Sequence, residues 1–277
     1  MSKITSKTVD QLLKQAQFRD SFKVLPKGKT YKNLSTIIII PTKGTQEEKE
    51  IVHCPKCKHK FERIRSIVYG LAPIFVEAYK RLIKPMNVPV LEMMACGYEV
   101  GDAYCKAIEQ ILSTPSLKDF KYILTVEDDN IIPFIPNSQG PLMMLYEDIE
   151  KGFDVAGGLY WTKGNPSMPL LYGDQKETRD NKAGMFKVRF DWKNKPEGPI
   201  ECNGMGMGFT LFKLGIFKDK KLKKPWFKTC NENTDQGGKH YTQDLYFFEQ
   251  ARELGYRVCV DTRVKVGHLD VKSGIIY

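Results

Sequence analysis

No apolar run in the 277-residue sequence approaches the roughly 20 residues that a bilayer-spanning helix needs. The densest runs, Ile37–Ile40 and Leu142–Leu145, are of a size that suits a protein core. Residues 1–34 are polar and lysine-rich and lack the apolar centre of a secretory leader. They read as a basic N-terminal segment with a short helix over Val9–Gln17, on a soluble protein without a membrane span, expected in the cytoplasm. A paired cysteine framework is missing too. The seven cysteines, at 54, 57, 96, 105, 202, 230 and 259, are odd in number and scattered, so most are expected as buried thiols. There is no internal repeat. With 42% hydrophobic and 27% charged residues, disordered, collagen-like and coiled-coil classes are excluded, and one globular domain with small appendages is expected.

Acidic residues are the scarcer charge: 33 against 43 Lys and Arg, for a net charge of +10. That balance favours polyanionic partners, such as nucleic acid, nucleotide phosphates or anionic glycans, without choosing among them.

Ser35–Ile40 is a short β-branched run stopped by Pro41, the pattern of a strand buried on both faces of a parallel sheet. Apolar periodicity then predicts a helix over Ile67–Ile83, a strand over Val88–Met94, a helix over Val100–Leu112 and a strand over Tyr122–Val126. A helix over Leu142–Lys151 and a strand over Asp154–Leu159 follow. This alternation is an α/β layout, in which functional residues gather at the carboxyl ends of strands. Beyond residue 160 the pattern becomes mixed α+β. It contains a helix over Thr242–Leu254 and strands over Tyr256–Val260 and Arg263–Val266.

The strand Tyr122–Val126 runs straight into Glu127, Asp128 and Asp129. Such a cluster repels itself. It is either a solvated turn or the holder of a hard divalent cation shared with substrate phosphates. Asp244 stands in the first turn of the Thr242–Leu254 helix, where the helix dipole favours a carboxylate, and His268 follows the last strand.

In order along residues 36–270, these features resemble the GT-A fold glycosyltransferases, especially the family 2-like enzymes, including the virus-encoded type, which would act in the host cytoplasm. The resemblance implies a nucleotide-binding half and an acceptor half in one domain over residues 35–270. Residues 271–277 would then be a C-terminal tail. It implies a D-x-D motif on Glu127–Asp129, with Asp129 and His268 holding Mn(II) or Mg(II), helped by Glu127. Pro41, Thr42, Lys43 and Asp128 would face the donor, a nucleotide-diphosphate sugar. Asp244 would be the catalytic base for transfer to an acceptor hydroxyl with inversion. Two positions depart from the pattern: Glu127 replaces the first Asp, and Gln243 stands where relatives often have an acid.

Asp102 opens a helix and either contacts the nucleotide base or caps that helix. Trp161 is placed for stacking on a sugar or for core packing. Gly204, Met205 and Gly206 form a glycine-spaced loop that the resemblance sets beside the donor sugar and acceptor; a tight turn is the other reading. Lys218–Lys228 carries six lysines around Trp226, either a solvated loop or a phosphate-holding surface on which Trp226 stacks. DNA bearing a hydroxymethylated base, or a glycan, is therefore an expected acceptor.

The insertion at about 45–63 holds His53, Cys54, Cys57 and His59, half of a zinc-ribbon signature. It is either a structural Zn(II) site completed by a further ligand or a free loop. Two other readings of the chain stand beside glycosyl transfer: a sugar nucleotidyltransferase, and a zinc-knuckle nucleic-acid-binding protein without transferase activity.

Overall fold

The computed structural model describes residues 33–43, 45–53, 55, 59–68, 70–86, 88–174, 186–232 and 239–277. The Val9–Gln17 helix expectation lies outside these residues. β1 (Thr36–Thr42) is followed by a hairpin of β2 (Thr45–His53) and β3 (Lys60–Val68). Next come α1 (Pro73–Lys80), β4 (Val90–Cys96), α2 (Val100–Ser113), β5 (Tyr122–Val126), β6 (Asn130–Ile131), α3 (Pro141–Glu150) and β7 (Val155–Leu159). The second half holds β8 (Leu171–Tyr172), β9 (Pro199–Cys202), β10 (Gly204–Met205), β11 (Phe209–Lys213), β12 (Cys230–Glu232) and β13 (Lys239–Tyr241). It closes with α4 (Gln243–Glu253), β14 (Val258–Lys265) and β15 (Gly267–His268).

The central sheet has seven strands in the order β4-β1-β5-β11-β7-β14-β9. β1 runs parallel to both β4 and β5, and β7 runs parallel to β14, while β11 and β9 are antiparallel to their neighbours. This is the α/β layout that the GT-A resemblance implies. Four small two-stranded ladders, β2-β3, β6-β15, β8-β10 and β12-β13, surround it.

β1 shows why an unbroken isoleucine run suits the sheet centre. Successive side chains point to opposite faces, and Ile37 and Ile39 enter one core while Ile38 and Ile40 enter the other. The first core is closed by α2 and α4 through Tyr104, Ile108, Ile111, Phe247 and Phe248. The second is closed by α1 and α3 through Phe75, Leu142, Leu145 and Tyr146. Among the described residues no helix is long and apolar enough to cross a membrane.

Two expectations of secondary structure are corrected. The helix predicted over Ile67–Ile83 is a strand to Val68 and a helix only over Pro73–Lys80. The β-branched Ile64, Ile67 and Val68 pair in register with β2, and Pro73, which has no N–H to lose, starts the helix. The two strands predicted over 256–266 are one strand whose register shifts between Asp261 and Lys265. There Asp261 turns back onto the Arg263 guanidinium. Residues 271–277 return to the domain, with Leu269 bridging Ile276 and the Tyr277 backbone paired with that of His268.

Trp226 is also corrected. It is 2% exposed, its ring set edge-on to Phe217 at 5.4 Å inside the first core, so it presents no face for a base or sugar to stack on. The lysines outside it bind locally: Lys224 pairs with Glu109 at 2.9 Å, and Lys218 donates to the Lys118 carbonyl. Trp226→Ala is therefore expected to lower the unfolding free energy by about 3–5 kcal/mol, the cost of truncating a core aromatic, as read by urea denaturation.

Candidate active site

β1 and β5 lie side by side and parallel, so Pro41–Lys43 and Glu127–Asp129 emerge at the same edge of the sheet. With Tyr98 and Val100 from the start of α2 they line a cleft of about 140 Å³. Gly97 N–H donates to the Thr42 carbonyl at 3.0 Å and ties the β4 end to the β1 end. Thr42 also donates to Asp128; burial raises that carboxyl, and the Thr42 bond and Lys43 charge oppose the rise.

Asp102 is exposed in the first turn of α2. The cap is Glu99, whose carboxylate accepts from Gly101 N–H at 2.8 Å and Asp102 N–H at 3.3 Å. The capping alternative for Asp102 is thus corrected: Glu99 stands at the position from which a side chain reaches the unpaired first-turn amides.

Asp129 and His268 meet although 139 positions of sequence separate them. β6 follows directly after Asp129 and pairs with β15, setting Asn130 opposite His268, and Leu269 N–H donates to the Asp129 carbonyl at 2.7 Å. His268 Nε2 lies 3.7 Å from Asp129 Oδ2. Its Nδ1 is 2.6 Å from the Trp161 carbonyl, which can only accept, so Nδ1 carries the hydrogen and Nε2 is turned to the carboxylate. The Tyr160 ring stands edge-on to the imidazole at 5.3 Å.

Asp129 Oδ2 also accepts from Lys163. Burial pushes the Asp129 carboxyl up, but the nearby His268 ring and the bond and charge of Lys163 outweigh it and hold it below the usual range. Oδ1 of the same carboxylate is buried and has no hydrogen-bond partner among the described residues.

Glu127 is in the opposite condition. Burial, then the charges of Asp129 and Asp244, push its carboxyl up to about 8 against a weak bond from Tyr104 at 3.4 Å. Asp244 is raised by burial as well, and its Oδ1 accepts from Leu245 N–H at 2.9 Å and from Thr242 Oγ1. Both of these bonds fall on one oxygen of Asp244.

The glycine loop lies behind these acids and is spent on packing. A Cβ at Gly206 would stand 2.1 Å from the Tyr160 hydroxyl, and one at Gly208 2.0 Å from Asn130 Oδ1. Gly208 N–H donates to Tyr160 at 2.9 Å, and Glu127 N–H donates to the Gly208 carbonyl at 3.0 Å. Met205 is fully buried, and a Cβ at Gly204 would press on Leu245 and Phe186 at 3.0 Å. Gly204, Met205 and Gly206, expected beside sugar or acceptor, are buried, and the two glycines are closely packed. Trp161 is half-buried against Trp192 at 6.2 Å, and its carbonyl is what orients His268.

Lys163, Tyr104, Tyr160 and Asn130 belong to the site and escaped the sequence reading, since none sits in a recognisable motif. Cys54 and Cys57 lie outside the described residues, and with them the zinc expectation for His53 and His59.

No family model matches the sequence, and no curated protein matches it. Among solved structures the chain is similar to A197 from STIV, with 18% identity, 85% of each chain covered and a TM-score of 0.48. It is similar to GalNAc-T7, solved with UDP, GalNAc and Mn2+, at 10% identity over 86% of this chain and 44% of that one, with a TM-score of 0.45. It is also similar to apo UDP-glucose pyrophosphorylase, at 10% identity over 66% and 59%, with a TM-score of 0.38. The chain thus spans most of the first and less than half of the second.

Folded Glu127 keeps its proton to about pH 8, whereas an unfolded glutamate loses it near about 4.3. Folding takes up a proton between these values, so this group's stabilisation is full at low pH and is lost as pH rises through 8. In cation-free buffer, Glu127→Gln is expected to match the parent's urea midpoint at about pH 4 and exceed it at about pH 8.5.

Proposed function

We propose that the chain is a metal-dependent glycosyltransferase that moves a sugar from a nucleotide-diphosphate donor to an acceptor hydroxyl with inversion. The observation that carries this reading is the convergence of Asp129 and His268, one carboxylate oxygen orphaned, on a cleft that Glu127 links electrostatically to Asp244.

The residues fit a divalent cation. Asp129 offers a buried oxygen with no partner among the described residues, and His268 offers a nitrogen whose ring is already oriented by a carbonyl. Among the described residues no group of three His, Cys, Asp or Glu closes on one point. Two protein ligands with the remaining positions left to phosphate and water is a usual arrangement for Mg(II) or Mn(II) at a diphosphate. When bound, such a cation supplies charge neutralisation for the departing diphosphate.

The chain's own side chains supply the rest. Thr42 and Lys43 line the cleft mouth where the nucleotide would lie, and Thr42 holds Asp128 beside it. Asp244, raised by burial, is a better proton acceptor than an ordinary carboxylate, and its Oδ2 takes the acceptor proton while Oδ1 stays anchored. With Asp244 as the base, displacement in one step with inversion is what the GT-A resemblance implies.

The test is a panel of UDP-, GDP-, ADP- and CDP-sugars with Mn(II), offered hydroxymethylated DNA or a glycan, with released nucleotide measured. One donor is expected to yield nucleoside diphosphate. Asp129→Ala should lose the metal-dependent thermal shift with that donor. Asp244→Asn should keep the shift and lose roughly 10²–10⁴-fold in transfer. Release of pyrophosphate from a nucleoside triphosphate and a sugar phosphate would instead establish nucleotidyl transfer, and equal donor affinity with and without EDTA would remove the metal.

A further inference from the structure

Lys163 is a charged group at the candidate site that neither the sequence pattern nor the reaction above employs. Its ammonium pairs with Asp129 Oδ2, the same oxygen that faces His268 Nε2 at 3.7 Å. A cation held by His268 and the Asp129 carboxylate would place a second positive charge, beside this ammonium, on one acid. Like charges crowded onto one acid repel, and the weaker-held of them moves.

The loop that carries Lys163 lets its side chain move without its backbone. Thr162 N–H donates to the Met168 carbonyl at 2.8 Å, Met168 N–H to Thr162 Oγ1 at 2.9 Å, and Ser167 Oγ to the Thr162 carbonyl at 2.7 Å. Trp161 bridges Pro169 just outside these bonds. The loop base is closed, while the Lys163 side chain is 34% exposed at the cleft rim. A lysine on a flexible stem is a point charge with no fixed fork to break, so it exchanges one anionic partner for another with little reorganisation.

Building on the glycosyltransferase reading, we propose that Lys163 is an exchangeable counterion of Asp129. Lys163 would leave Asp129 when a divalent cation binds there and would take a diphosphate oxygen instead, so that cation and diphosphate would bind cooperatively. Lys163 does not touch the reacting carbon; it is a positioning residue whose two partners exclude each other in time. The cation alone binds against the lysine, and the diphosphate removes that penalty by giving the ammonium a new anion. By linkage each ligand must then tighten the other by the same factor.

The experiment measures Mn(II) binding by the electron paramagnetic resonance of free Mn(II), with and without inorganic pyrophosphate, after correction for Mn(II)-pyrophosphate in solution. The full chain is compared with Lys163→Gln, Lys163→Arg and Asp129→Ala; no turnover is needed. Lys163→Gln is expected to bind Mn(II) alone roughly 10-fold more tightly than the parent and to lose most of the enhancement by pyrophosphate, a coupling of ordinary size. Lys163→Arg should retain the enhancement. If Lys163→Gln binds Mn(II) no more tightly, or keeps the full enhancement, the counterion role is overturned while the metal site stands. If Asp129→Ala binds Mn(II) as the parent does, the metal site itself fails, and the counterion role with it.

Discussion

Mutual repulsion among Glu127, Asp128, Asp129 and Asp244 is the constraint on which the rest of the site depends. Three of them follow one another out of β5, and Asp244 arrives from the start of α4 close enough to raise Glu127. Buried like charges cannot all stay ionised without compensation. The surroundings supply it unevenly: Asp129 has His268 and Lys163, Asp128 has Thr42, Asp244 has a hydroxyl and an amide, and Glu127 has little more than a long bond from Tyr104. Neighbouring carboxyls in one cleft are thereby driven to different protonation, which is how a site obtains an ionised ligand and a proton carrier from chemically similar side chains.

Holding the acids in place falls to packing that has no polar character of its own. Tyr160 places its hydroxyl under Gly208 N–H and its ring against His268, and only glycine at 206 and 208 leaves room for Tyr160 and Asn130. The glycine spacing that looks like a ligand-approach loop is a close-packing device one layer behind the cleft. Its effect on chemistry is indirect, through the Gly208 carbonyl that fixes the Glu127 backbone.

The legibility of the chain follows from where its signals are local. Ile37–Ile40, the β5 run into the acids and the start of α4 are readable because strand burial and helix entry leave marks within a few residues. The hairpin β2-β3 was read partly as helix because its apolar positions, including Ile64, Ile67 and Val68, do not alternate cleanly and their pairing partner lies across the turn. Trp226 was misplaced for a related reason. Flanking lysines suggest a surface, yet a ring can turn inward while its neighbours stay in solvent, and Lys224 lies over it at 4.7 Å from outside. Lys163, Tyr104 and Tyr160 were invisible because their roles come from tertiary approach and from no spacing along the chain.

The two basic side chains beside Asp129, His268 and Lys163, differ in how they are held. His268 is bound through its backbone, by the β6-β15 ladder, by the returning Tyr277 and by the Trp161 carbonyl on its ring. Its position is decided before any ligand arrives. Lys163 reaches the same oxygen through its side chain alone, from a closed loop at the rim. A rigid neutral nitrogen suits a permanent ligand, whereas a flexible charge suits exchange between anions. One neighbour of the carboxylate is thus fixed through its backbone and its ring, the other through a side chain alone.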